Sequence, residues 1–386
     1  MQKKIIALAI AGLSSVAFAQ SNVTISGQFR VGIDSVSAGG ATAAGANLTS
    51  RMRVTDENST LRFAGEEKLG NGMTAWFQVE SAIGTSDNVG TSGAQTTGAA
   101  NSATIGTRNT AVGLKGNWGN FFVGKWDMHY SSHAGVDAQG LAAHSGALTA
   151  NSLSILHNNN GANGAGGRYN NAIMYTSPNW GGFDINLGYS TGTANEVTTA
   201  GVDKENNLWI NPRYTNGPIH VFYSHLKRND VGSAAAGTSP DQKFNRAGGA
   251  YTFPMGFKVG LIWDRNEVST AAGVTTKRTA WALPLSYVTG AHTVSFTYAK
   301  ANNSNVGGAD VVDSNAKMTM IGYNYAMSKR TSVGASWWGI NNAAAATYDG
   351  WHPSSNIGAQ NGAAPGAGIP AGADPRKFTL QMNHTF

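Results

Sequence analysis

Three short spacings in this chain match motifs that carry catalysis or ligation, and each demands a particular setting. Gly188-Tyr189-Ser190-Thr191-Gly192 has the G-x-S-x-G form, in which a serine nucleophile sits on a sharp turn from a strand into a helix. Here the chain runs on into Ala194-Asn195-Glu196, a polar loop, so the elbow has no helix to enter. His129 and His133 have the i, i+4 spacing of a zinc-binding helix, but no glutamate lies between them. The Gly-rich run 161–167 lacks the flanking strand and helix of a nucleotide fingerprint. No catalytic residue, metal site or cofactor is therefore expected. What remains is a set of charges, Arg30, Arg62, Arg108 and Arg168 with Asp127 and Asp137, whose use depends on the elements that carry them.

Composition narrows those elements. The 386 residues contain no cysteine, 50 glycines and only 12% charged residues, about half the usual share. Lys3 and Lys4, the apolar stretch from Ile5 to Phe18 and the small-x-small site Ala17-Phe18-Ala19 read as a secretory signal peptide. The expected division is a leader over 1–19 and one domain over 20–386. An exported chain without cysteine is not a disulfide-stapled scaffold. No later segment holds 18 consecutive apolar residues, so no helix is expected to span a bilayer. The pI near 9.4 does not indicate nucleic acid, because the basic residues are scattered without a basic run or interleaved aromatics.

The period along the chain is two. Val23, Ile25, Phe29, Val31 and Ile33 share one face, and Thr24, Ser26, Gln28, Arg30 and Asp34 share the other. Phe183–Tyr189, His292–Tyr298 and Phe378–Phe386 alternate in the same way. Seven short turns, near 69–72, 115–119, 177–181, 215–218, 254–256, 289–290 and 327–330, alternate with eight long loops. The loops lie near 35–58, 84–106, 128–167, 191–206, 227–241, 267–276, 302–314 and 342–374. Fifteen connections join sixteen strands.

Short turns on one end and long loops on the other, with an even strand number, are the pattern of an outer-membrane barrel. Hydrocarbon offers no partner to backbone N–H and C=O groups, so a sheet that crosses it must close and leave no edge. The expected fold is all-β, a 16-stranded antiparallel transmembrane β-barrel. At that strand number an aqueous channel is left inside. Trp180, Tyr189, Tyr214, Phe253, Trp263, Tyr287, Tyr298 and Tyr325 fall near strand ends, where interfacial girdles form. The rival reading is a barrel that serves mainly as an adhesin or surface-binding protein through its loops. A planar-bilayer recording separates the two by the presence or absence of conductance steps.

Particular stretches resemble the trimeric general porins of Gram-negative bacteria, of the neisserial and betaproteobacterial type. They are Asn22-Val23-Thr24-Ile25-Ser26-Gly27, Phe63-Ala64-Gly65-Glu66-Glu67-Lys68-Leu69-Gly70-Asn71-Gly72 and Val112-Gly113-Leu114-Lys115-Gly116-Asn117-Trp118-Gly119. Tyr175 to Phe183, Met327 to Thr331 and the terminal Asn383-His384-Thr385-Phe386 complete the match in order along the chain. The resemblance implies a passive-diffusion pore for small hydrophilic solutes and ions, a homotrimer, and a third loop folded into each barrel as an eyelet. The partners then expected are outer-membrane lipid and lipopolysaccharide.

On that resemblance the loop from about 128 to 167 forms the eyelet, with Asp127 at its root, Asp137 within it and four histidines, His129, His133, His144 and His157. The wall opposite should carry arginines. Alternation turns Arg62 and Arg30 inward, and Arg168 sits in phase with Asn170 and Ala172. The family's arginine wall carries over to Arg168, and also to Arg108, although parity groups Arg108 with outward Val112 and Leu114. Lys125 stands where an arginine is usual, and parity leaves its direction open. Because Asp34, Glu80, Asp184 and Asp264 also face inward by alternation, the expected selectivity is a mild anion preference.

Overall fold

Alternating residues on a chain with two-residue and four-residue turns form meandering hairpins, and here the meander closes on itself. The computed structural model describes residues 22–84, 105–137, 152, 154–156, 167–191, 205–229, 241–269, 272–350, 357–358 and 369–386. The leader, His144 and His157 lie outside the described residues. In order come β1 (Asn22–Gly39), β2 (Leu48–Asp56), β3 (Thr60–Gly70), β4 (Met73–Ala82), β5 (Thr110–Gly116) and β6 (Gly119–Asp127). Next are β7 (Arg168–Thr176), β8 (Phe183–Ser190), β9 (Asn206–Asn216), β10 (Ile219–Asn229), β11 (Gln242–Thr252), β12 (Phe257–Ser269) and β13 (Thr275–Thr289). The rest are β14 (His292–Ala301), β15 (Asn305–Val306), β16 (Ala309–Asp310), β17 (Ala316–Ala326), β18 (Thr331–Asn342) and β19 (Asp374–Thr385).

These nineteen strands form one sheet of sixteen staves. β15 and β16 are a two-residue hairpin in the connection between β14 and β17. β2 and β3 are two halves of one stave, since β1 pairs with β2 at one end and β3 at the other. Every pairing is antiparallel, and β1 closes the barrel on β19 from Gln28↔Thr385 to Gly39↔Asp374. Closure removes the two edges that hydrocarbon could not satisfy.

The break between β2 and β3 has a local cause. Asp56 Oδ1 accepts the N–H groups of Asn58 (2.9 Å) and Ser59 (3.0 Å), and Asn58 takes a left-handed φ of 79°. Asparagine tolerates that conformation where most residues do not. The turn brings Glu57 N to Arg30 O at 2.9 Å and Ser59 Oγ to Arg30 N at 2.9 Å, so the opposing strand keeps its partners. At the other end, Asn71 (φ 49°) and Gly72 (φ 74°) form the hairpin turn from β3 to β4 that matches strand twist.

Outward residues are apolar and open: Val23, Ile25, Val112, Leu261, Ile321 and Leu380 are all more than half or about half exposed. Their alternate neighbours face inward. The protein's packed core is inside the barrel, and it is not evenly spread. Ile262, Ala280, Ala282, Ala299, Ala301, Ala316, Met318, Met320, Trp338 and Ile340 line the inner wall of β12–β18 and are fully buried. Ile155 and Leu156 from the third loop, and Tyr348, Ile357 and Ile369 from the last loop, cover them. Strand number alone predicted an open interior. Over these strands the lumen is instead filled by inward loops, because the wall there presents apolar side chains that leave water by packing against them.

Candidate functional site: the lumen and its constriction

Loop three begins as β6 ends, with Met128 buried, and a short 3-10 turn at His129–Ser131. It leans on the inner wall of β10–β13. His129 Nδ1 lies 2.8 Å from Ser224 Oγ on β10, and Arg246 Nη1 on β11 lies 3.2 Å from His133 Nδ1. Lys258 Nζ on β12 donates to Gly135 O at 2.6 Å. Arg278 on β13 donates to the carbonyl oxygens of Ile155 and Leu156, the latter at 2.6 Å. The two arginines share one carboxylate: Arg246 Nε and Arg278 Nη2 are each 2.9 Å from Asp264, and all three side chains are buried. The third loop is thus folded into the barrel, held by cations of one wall acting on its backbone and on the His133 imidazole, and by Ser224 on His129.

Both histidines are kept neutral. Burial lowers the His129 imidazole to about 4, with Arg246 adding to the effect against the nearby Asp264. Burial and then Arg246 hold His133 well below the ordinary histidine value. An imidazole that accepts a hydrogen bond from a guanidinium has no room for a second proton on that nitrogen.

Across the lumen stands the arginine set. Arg30 on β1 is 9% exposed, and its Nε donates to Asn383 Oδ1 at 3.3 Å. Arg62 on β3 is exposed, opposite Ser26 on β1 and Glu80 on β4 in the register, and so on the lumen face. Arg108 Nε reaches Glu80 at 2.5 Å, and its Nη1 reaches Asn58 Oδ1 at 2.8 Å. Arg168 Nε lies 2.9 Å from Asn109 Oδ1 and 3.5 Å from Asp127, whose other oxygen accepts from Asn109 Nδ2 at 2.9 Å. Strands β1, β3 and β7 and the segment before β5 therefore bring four guanidinium groups to one side.

Two of these placements differ from simple parity. Arg108 precedes β5, so the alternation of Val112 and Leu114 does not extend to it, and it turns inward. On β7, Asn171 takes φ 51°, and the phase slips there. Tyr169 and Ala172 are both buried inside, and Arg168 reaches sideways along the rim to Asp127. Asp137 lies within the third loop. It is 3% exposed and accepts a hydrogen bond from Ser152 Oγ, within the loop's own packing and away from channel water. Lys125 faces the barrel exterior, in a groove with Val123, Asn171 and Ile173. That groove opens at a bulge after Gly124, whose φ is 152° and whose added Cβ would lie 2.2 Å from Thr110 O.

The inward acids are each met by cations. Asp34 has Arg53 at 3.1 Å and Lys377 at 2.9 Å, and Lys377 also holds Glu57 at 2.6 Å. Glu80 has Arg108, Asp184 has Arg213 at 2.7 Å, and Asp264 has its two arginines. Ser190 of the G-x-S-x-G match lies at the end of β8 and donates its hydroxyl to Asn170 O at 2.7 Å, an interstrand bond. Sequence reasoning missed Arg246, Arg278, Lys258, Arg53 and Lys377. Parity could have found Arg278, one residue out of phase with Lys277, only by knowing which face of β13 was inside. Ala280 and Ala282 on its own face give no such sign.

A closed β-barrel with apolar staves outside and charged, water-accessible side chains inside defines a class, the transmembrane barrel channel. Residues 6–344 match the family described as Gram-negative porin, and the chain belongs to that family. It is 26% identical to outer membrane porin protein 32 of Delftia acidovorans, with 100% of each chain covered. It is also 26% identical to the major outer membrane protein P.IB of Neisseria gonorrhoeae, over 87% of this chain and 93% of the relative. Among solved structures it is similar to an anion-selective porin from Comamonas acidovorans, with a TM-score of 0.71 and 25% identity over 95% of this chain and 100% of the other. The chain is an outer-membrane channel for the passive diffusion of small hydrophilic solutes.

Proposed function

We propose that this porin passes anions in mild preference to cations, and that Arg30, Arg62, Arg108 and Arg168, with Asp127 as their local counter-charge, set the constriction. The observation that carries the reading is the asymmetry of pairing. The inward acids Asp34, Glu80, Asp184 and Asp264 all have cationic partners within 3.1 Å, whereas Arg62 has no ion-pair partner among the described residues and is open to lumen water. A fixed cation in a water-filled constriction lowers the energy of a passing anion and raises that of a cation. The anion-selective Comamonas porin with a similar fold supports the same sign.

Asp137 takes a different part in this proposal. It holds the third loop together through Ser152 and leaves the eyelet rim to others. The reading further includes a homotrimeric assembly, no catalysis, a leader over 1–19 removed on export, and contact of the barrel with outer-membrane lipid, lipopolysaccharide included.

The test is the reversal potential of reconstituted channels in a KCl gradient. Anion preference in the parent protein, reduced by Arg62→Ala combined with Arg168→Ala, supports the proposal. Cation preference, or a reversal potential indifferent to both substitutions, refutes it.

A further inference from the structure

The outward face of β10–β17 carries a second set of cations that the channel does not use. Toward the long-loop end the apolar band finishes in Tyr223, Trp263, Trp281 and Tyr298. Beyond it the outward positions become basic on one strand after another: Lys227 on β10, Lys243 on β11, Lys277 on β13, Lys300 on β14 and Lys317 on β17. Their direction is fixed by neighbours that point inward and are buried, namely Leu226, Phe244, Arg278, Ala299 with Ala301, and Ala316 with Met318.

The register sets like charges side by side. Lys227 stands directly opposite Lys243, and Lys300 directly opposite Lys317. Like charges in facing positions of a sheet destabilise it unless something neutralises them. Among the described residues of β10–β14 and β17 the outward acid is Glu267, opposite both Lys243 and Lys277. Its carboxylate is taken by Arg265 Nη2 at 2.8 Å, on its own strand. None of the five lysines has a hydrogen bond or ion pair among the described residues. Six adjacent strands spread the row over roughly 24 Å at ordinary strand spacing.

We infer that this belt binds the phosphate groups of phosphorylated glycolipid in the outer leaflet, which rests on the lipid contact proposed above. The belt sits where headgroups lie, just outside the aromatic band and at the end that carries the long loops. Lysine meets phosphate as a mobile point charge with three donors, which suits headgroups of variable position. The aliphatic stems lie along the barrel wall while the ammonium groups reach outward.

The experiment compares binding of a diphosphorylated lipid A and its chemically dephosphorylated form to the purified full-length protein in neutral detergent, by native mass spectrometry. The parent protein is expected to retain the phosphorylated lipid in preference. Each lysine removed should weaken retention roughly fivefold at low salt. The variant Lys227→Gln/Lys243→Gln/Lys300→Gln/Lys317→Gln should therefore lose it by a hundredfold or more, while Lys329→Gln, in the turn at the opposite end, leaves it unchanged. A second measurement needs no variant: amine acetylation of the parent protein in bilayers should spare the four lysines only when phosphorylated lipid is present, with Lys329 labelled equally in both.

Equal retention of the two lipids, or lysine protection that follows subunit assembly and not lipid phosphate, overturns the inference. Single-channel recording in phosphate-free glycolipid separates this from the channel reading. The lysines face away from the lumen, so the quadruple variant should conduct like its parent even where the belt inference fails.

Discussion

Arg62 stands directly opposite Glu80 in the β3–β4 register, yet the Glu80 carboxylate is held by Arg108 Nε at 2.5 Å. The Glu80 carboxylate is thus committed to Arg108, whose side chain is 12% accessible, and not to its register partner. Arg62 is left facing the channel water. The charge that acts on a passing ion is the one the fold does not neutralise.

Arg62→Ala should therefore lower anion preference more than Arg168→Ala, because Arg168 already shares its charge with Asp127. A unit charge at 4 Å in water is worth about 1 kcal/mol, with opposite sign for an anion and a cation, so the anion-to-cation permeability ratio should fall by up to roughly thirtyfold. The effect should shrink as salt rises and the screening length shortens. Glu80→Gln should shift the ratio the other way by releasing Arg108. Reversal potentials at low and high KCl check all three.

Asp264→Ala should be the most damaging single substitution in the lumen. It leaves Arg246 and Arg278 buried without their shared carboxylate, and removing one member of a buried ion cluster costs about 3–5 kcal/mol. Those arginines also hold Tyr130 O, His133, Ile155 O and Leu156 O, so the third loop should lose its anchor. A lower melting temperature in detergent and noisier open-channel current are the expected readings.

Acidification should loosen the same loop. The His129 imidazole is depressed to about 4 in the folded state against an ordinary value near 6.5, and His133 is depressed as well. An unfolded segment gains protons that the docked one refuses, so the stabilisation present above pH 6.5 drains away as pH falls toward 4. Current noise, or protease cleavage within the third loop, should be constant from about pH 8 to 6.5 and rise below it. His133→Gln should blunt the response.

In the last loop the sign is reversed. Asp349 accepts N–H groups from Gly350 at 2.7 Å, Ile357 at 2.9 Å and Gly358 at 2.7 Å, yet burial still pushes its carboxyl up to about 6. The folded loop prefers the protonated acid, so its stabilisation is complete below the ordinary carboxyl value and is lost as pH rises through 6. After correction for intrinsic rates, the amides of Ile357 and Gly358 should exchange faster at about pH 7.5 than at pH 5.

Much of the barrel was legible without coordinates. The alternation of Val23 to Ile33 against Thr24 to Asp34 gives both faces of the first stave, and the strict succession of short and long connections gives sixteen. The turns at Asn71-Gly72 and Ser177-Pro178-Asn179 fall where their residue types demand. Parity also placed Arg30 and Arg62 on the lumen side, because both sit within uninterrupted strands. It did not hold for Arg108, which lies before its strand begins, or across Asn171, where a left-handed residue shifts the phase.

The sequence by itself determined a closed sheet with one face toward lipid, because a period of two needs only the nearest neighbours along the chain to be expressed. It could not determine how that closed sheet is filled. The inner wall of β12–β18 mixes apolar Ile262, Ala280, Met318 and Trp338 with Asp264 and Arg278, so hydropathy does not tell its inside from its outside, and only the packed loops against Trp338, Met318 and Ile262 show which is which. Nor could it assign charge to charge. Lys377 and Glu57 are 320 positions apart and 2.6 Å apart in space, and it is barrel closure between the first and last strands that brings them together.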